Sequence, residues 1–163
     1  MNSMISPYRF LGLMLLMAAF FLASTAVRSA DEHAHHAGHG KLMLNDGQKW
    51  ITDAPLRLAM NRISKALGAR LPAIHENKLG SADYVALGKT IDDNVAYMVN
   101  NCQLPADSDA MLHLVLAEMV QGSEAMQGKT PDVKARAGAV KVVMALRNYG
   151  KYFDHPDWQP PTH

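Results

Sequence analysis

The sequence predicts an all-α protein, an antiparallel up-down-up-down four-helix bundle, and three observations predict it. Apolar residues recur at alternating spacings of four and three through four separate segments. Pro and capping residues punctuate those segments, and no stretch carries the strict alternation of a half-buried strand. The connections are short, which makes successive helices antiparallel neighbours. With 163 residues, 48% of them hydrophobic, the chain suits one core behind a processed leader, since two domains would starve both. The expected organisation is a signal peptide over residues 1–29, a His-rich flexible leader over 30–41, the bundle over 42–158 and a tail over 159–163.

Arg9 supplies a positive start, and the apolar run from Phe10 to Ala23 is too short for an ordinary membrane span and is followed by small residues. This is the pattern of a cleaved secretory signal, with an uncleaved anchor as the weaker alternative, so the expected localisation is periplasmic, with no stable membrane span after cleavage. Cutting after Ala26 or after Ser29 satisfies the small-residue rule. Of 16 basic residues, cleavage after Ser29 removes Arg9 and Arg28 and leaves 14 against 15 acids, a mature charge of about −1 that gives no electrostatic ground for nucleic-acid binding.

The stretch from Asp31 to Gly40 places His33, His35, His36 and His39 within seven positions, together with two Gly, the composition of a short metal-binding tract. Neutral imidazoles take divalent copper, zinc or nickel, and intrinsic affinity favours copper. Cleavage after Ala30 is disfavoured, because it puts Arg28 at the third position back, but it would present an amino terminus, two amides and His33, a square-planar set for Cu(II). The competing reading is a solvated linker.

The first helix starts at Thr52-Asp53-Ala54-Pro55, where Asp53 or Thr52 caps the free amides and Pro55 sits where its missing N–H costs nothing. Leu56, Met60, Ile63 and Leu67 form its seam, and Pro72 stops it at about Leu71. After a loop with His75 and Gly80, the second helix starts at Ser81 or Asp83 and carries Tyr84, Gly88, Ile91, Val95, Met98 and Cys102 on its buried stripe. The third follows Pro105 with Asp107 or Ser108 as cap, and its stripe is Leu112, Val115, Met119, Gly122 and Met126. The fourth starts at Thr130-Pro131 and runs through Ala135, Ala139, Val142, Leu146, Tyr149 and Phe153 until Asp154-His155-Pro156 halts it. Trp158 is expected to fold back over the end where Trp50 lies.

Antiparallel alternation then gathers soft donors at one pole. Met60 lies two turns in, Met98 one turn from an exit, Cys102 at the exit, His113 one turn up and His155 at the last turn, whereas His75 falls at the opposite pole. Cys102 is the sole cysteine and cannot form an internal disulfide, so it is a buried thiol, an intermolecular bridge or a metal ligand. Asp109, one turn before His113, is placed to orient its imidazole. Thiol, thioether and imidazole together select copper or zinc, while calcium and magnesium ask for carboxylates. Each residue also has a plainer reading: Met60 and Met98 as core filler, Cys102 as an inert thiol, His113 paired with Asp109, His155 at a helix C-terminus. Eleven Met against four Phe fits thioether ligation and adaptable packing equally.

The seam of Leu56, Met60, Ile63 and Leu67, the Leu112 to Lys129 helix and Arg147-Asn148-Tyr149 resemble the helix pattern of small periplasmic four-helix-bundle cytochromes, b-type or c-prime-like. That resemblance implies a haem b held by a first-helix Met and a fourth-helix His. Met60 matches the Met position, while the His position falls near Lys151 with His155 one turn later. A covalent haem is not expected, because there is no Cys-Xaa-Xaa-Cys-His. The His-rich leader with Asn101-Cys102-Gln103-Leu104-Pro105 is similar to haem-free secreted bundles associated with bacterial copper handling. The expected function is therefore periplasmic metal binding, copper first, for buffering, resistance or delivery to a metal-transport or redox partner. A b-type electron-transfer protein and a structural or chaperone-like bundle are the alternatives. No enzyme is expected, since nucleophile, phosphate-loop and His-Glu-Xaa-Xaa-His motifs are missing from the sequence.

Overall fold

Asp53 starts the first helix. Its backbone is extended (φ −100°, ψ 174°) and its side chain accepts the Leu56 N–H, with Pro55 in the first turn of α1 (Ala54–Gly68). The computed structural model describes residues 40–162, so the signal-peptide segment and His33, His35, His36 and His39 lie outside the described residues. Those described residues are all-helical, with α2 (Leu71–His75), α3 (Ser81–Asn101), α4 (Ala106–Met126) and α5 (Ala135–Tyr152) following α1. They contain no strand, only the isolated bridges Asn45 to Gln48 and Trp50 to Phe153. No helix among them is long and apolar enough to cross a membrane.

The spacing of fours and threes places the core. Leu56, Met60, Ile63 and Leu67 of α1 are fully buried, as are Ile91 of α3, Met119 of α4, and Val142, Leu146 and Tyr149 of α5. Burial of this set is the main stabilising term of the fold, at about 1.5–3 kcal/mol for each large side chain. Val95 and Cys102, expected on the buried stripe of the second helix, are only partly buried against the core.

Three boundaries differ from the sequence expectation. Leu71–His75 is a short helix, not loop, because Pro72 sits in its first turn, where a helix needs no N–H from it. The last long helix begins at Ala135 and not at Pro131. Gly128 and Asp132 take left-handed φ values of 71° and 62°, and a right-handed helix cannot run through Asp132 in that state. The N-cap of α4 is Pro105, with no side-chain cap, while Ser108 is fully buried and its hydroxyl donates to Ile51 O at 3.0 Å.

Hydrogen bonds fix which helix ends meet. Gln103 N–H after α3 donates to Asp53 at the start of α1, Ser108 at the start of α4 reaches Ile51, and Trp50 N–H donates to Tyr152 O at the end of α5 at 2.8 Å. At the other end, Arg136 of α5 donates to Ile74 O at 3.0 Å, and Ser123 of α4 donates to Gly88 O of α3 at 3.2 Å. The fully buried Ser123 hydroxyl also bonds Asp92, whose other carboxylate oxygen takes Gln127 Nε2 at 2.8 Å, a polar tie inside the α3–α4 contact.

The most extensive helix contact is α4 with α5. Gly122 and Gly138 permit it: a Cβ on Gly138 would stand 2.4 Å from Gly122 O, and one on Gly122 would stand 2.7 Å from Gly138 O. Backbone cannot yield as a flexible side chain does. Gly138→Ala is therefore expected to lower stability by about 1–3 kcal/mol in a denaturant titration, despite the higher helix propensity of Ala. An unchanged midpoint would mean that the helices separate at no cost.

Candidate metal centre

Cys102 caps the end of α3. Its backbone turns to an extended conformation (φ −73°, ψ 143°) while its N–H still donates to Met98 O at 2.9 Å, so Met98 and Cys102 lie one turn apart on the same face. Pro105 prevents the helix from continuing and sends the chain into α4, which brings His113 alongside. Met98, Cys102 and His113 line one cavity of about 270 Å³, with Asp109 and the apolar Leu104 and Leu112 in its wall. Met98 is 1% exposed, so its thioether belongs to the core side of the cavity, and Cys102 is half-buried. His113 stands at the exposed rim.

Asp53 governs the thiol. One carboxylate oxygen accepts the Leu56 N–H at 2.9 Å and the other accepts the Gln103 N–H at 2.7 Å, and the Cys102 thiol also hydrogen-bonds to this carboxylate. Burial pushes the Cys102 thiol up to about 12, with the negative charge of Asp53, its hydrogen bond and the charge of Asp109 acting in the same direction. The thiol is protonated at neutral pH. An ion that binds there must hold sulfur strongly enough to displace the proton.

His113 is held in one tautomer. Its Nδ1 lies 2.9 Å from Asp109 O, and a carbonyl only accepts, so Nδ1 carries a hydrogen and in the neutral ring the lone pair falls on Nε2. The Asp109 carboxylate lies 3.4 Å from the same Nδ1. This outer contact orients the ring as second partners orient metal-ligating imidazoles.

His155 and Met60 lie elsewhere. Neither lines the cavity with Cys102. His155 is buried between Tyr149 and Trp158, with ring centroids 5.7 and 4.9 Å away. Asn61 Nδ2 donates to its Nε2 at 3.3 Å, and Nδ1 is 2.9 Å from the Tyr149 hydroxyl. Both ring nitrogens are engaged, and Met60 is fully buried on the α1 seam. The pair does not fit haem b, because an iron would have to break one of the two His155 bonds and reach a thioether packed in the core. Trp158 does fold back, as its sequence position suggested, and packs on Gly150, whose absent side chain makes the room.

Among the described residues, no three or more of His, Cys, Asp and Glu are grouped to hold a metal ion. A centre at this end thus depends on the Met98 sulfur beside Cys102 and His113. The role of Asp53 across two helices escaped the sequence, where it reads only as an N-cap. The Tyr149–His155 pair also escaped it, since nothing in the spacing shows that the chain after α5 returns over the helix end.

Asp53→Ala removes both the cap and the Gln103 acceptor, and is expected to cost about 2 kcal/mol in a denaturant titration, against a few tenths for Asp154→Ala as a surface control. Burial foremost, then the Arg57 charge, holds His155 below its ordinary value of 6.5, against the opposing charges of Asp154 and Asp157. The unfolded chain therefore takes up the proton first as pH falls. The contribution of His155 to stability is complete above 6.5 and is lost as pH drops through the lower folded value. Melting temperatures compared at neutral and mildly acidic pH are expected to fall more for wild type than for His155→Gln, and equal falls would remove His155 as the cause. No protein-family model, curated protein or solved structure matches the chain.

Proposed function

We propose that this is an exported, periplasmic copper-binding protein, an antiparallel up-down-up-down four-helix bundle that buffers copper or passes it to a metal-transport or redox partner without itself being an enzyme. The observation that carries the reading is the single cavity lined by Met98, Cys102 and His113, two sulfur donors and an imidazole with its lone pair on Nε2. Copper holds all three donor types, and zinc holds two of them. The His33, His35, His36 and His39 tract would supply a first capture site on the chain that precedes the helices. Haem b drops out of the reading because His155 is committed to Tyr149 and Asn61.

The test is thermal. A ligand that binds only the folded state adds about 2.7 kcal/mol at roughly a hundred times its dissociation constant, whereas copper held equally by the folded and unfolded chain adds nothing. Copper is expected to raise the melting temperature of wild type, with Cys102→Ala losing most of that rise and the copper-free variants melting within a few degrees of wild type. Elemental analysis should find copper, and the absorption spectrum no Soret band. A melting temperature indifferent to copper in wild type would overturn a folded copper site.

A further inference from the structure

From the donor set and its burial we infer that the Met98–Cys102–His113 cavity takes a monovalent soft cation, Cu(I), in preference to Cu(II) or Zn(II). The inference rests on the copper reading above and deepens it by naming the oxidation state. Two of the three donors are sulfur, and the thioether of Met98 is 1% exposed, so an ion reaching it must give up water on that side. A soft ion with few ligands tolerates this exchange, because sulfur replaces the lost hydration.

Zn(II) asks for four N, O or S donors in a tetrahedron and makes no use of a thioether. Among the described residues no group of three His, Cys, Asp or Glu is placed to hold an ion, and at this cavity the Asp109 carboxylate lies 3.4 Å from His113 Nδ1, which leaves one thiol and one imidazole. Cu(II) prefers a square-planar set of nitrogen and oxygen. Of the cavity's side chains His113, Asp109 and Gln103 could serve it with nitrogen or oxygen, but the two that lie one turn apart on one helix face, Met98 and Cys102, offer sulfur. The imidazole completes a three-donor set, since the Asp109 carbonyl takes the Nδ1 hydrogen and leaves Nε2 for the ion. On binding, the S–H bond of Cys102 breaks, a sulfur–copper bond forms and the proton passes to water. Copper enters and stays as Cu(I), so no electron is exchanged.

The experiment uses the full chain without oxygen. Bicinchoninate competes for Cu(I), and separate titrations follow Zn(II) and Cu(II). Met98→Leu keeps the core volume while deleting the thioether, Cys102→Ser deletes the thiol, and His113→Ala changes an exposed helix face, so folding of at least the last is secure. Each substitution is expected to weaken Cu(I) binding by about tenfold or more, as losses around metal sites do, with Zn(II) and Cu(II) binding unchanged and Ag(I) displacing Cu(I) from wild type. Wild-type Cu(I) affinity retained in all three variants overturns the inference, as does a parallel loss of Zn(II) or Cu(II) binding in the variants. Copper bound with the variants indifferent leaves an exported copper binder acting through its leader. Copper bound in neither oxidation state removes the copper reading as well.

Discussion

The arrangement hangs on one carboxylate. Asp53 caps α1 through Leu56 N–H, holds the chain after α3 through Gln103 N–H, and accepts from the thiol of Cys102. An ionised acceptor makes hydrogen bonds roughly twice as strong as neutral pairs, so a single side chain fixes the start of one helix against the finish of another. The thiol at that junction is thereby kept as S–H and kept in place. Stability and site chemistry share this residue, and a change that improves one is felt by the other.

Burial divides the donors at this end into two kinds. Cys102 and His113 reach solvent through the cavity they share, whereas His155 is enclosed by Tyr149, Trp158 and Asn61 and serves the packing of the chain that leaves α5. His155 has both ring nitrogens engaged by protein groups and serves packing, whereas His113 has its Nδ1 on the Asp109 carbonyl and stands at the rim of a cavity. The same residue type thus meets opposite environments within one end of the molecule.

Helix stripes were legible in the sequence because period is a local property. Leu56, Met60, Ile63 and Leu67 had to share a face whatever surrounded them, and they are buried together. Boundaries were less legible, since Pro131 looks like a helix start until Asp132 adopts a left-handed backbone, and Pro72 looks like a stop although it opens α2. Met98, Cys102 and His113 could be brought together from register alone, because one short turn separates their helices. His155 could not be placed that way, for its position follows from the path of a non-repeating tail against Gly150, and no period describes such a path.

Gly122 and Gly138 carry a consequence for how such a chain can vary. Each occupies the space beside the other's carbonyl, so neither accepts a side chain while the helix separation stays as it is. The obstacle at each is main chain, so a side chain added at either position can be housed only by widening the gap between the two helices along their length.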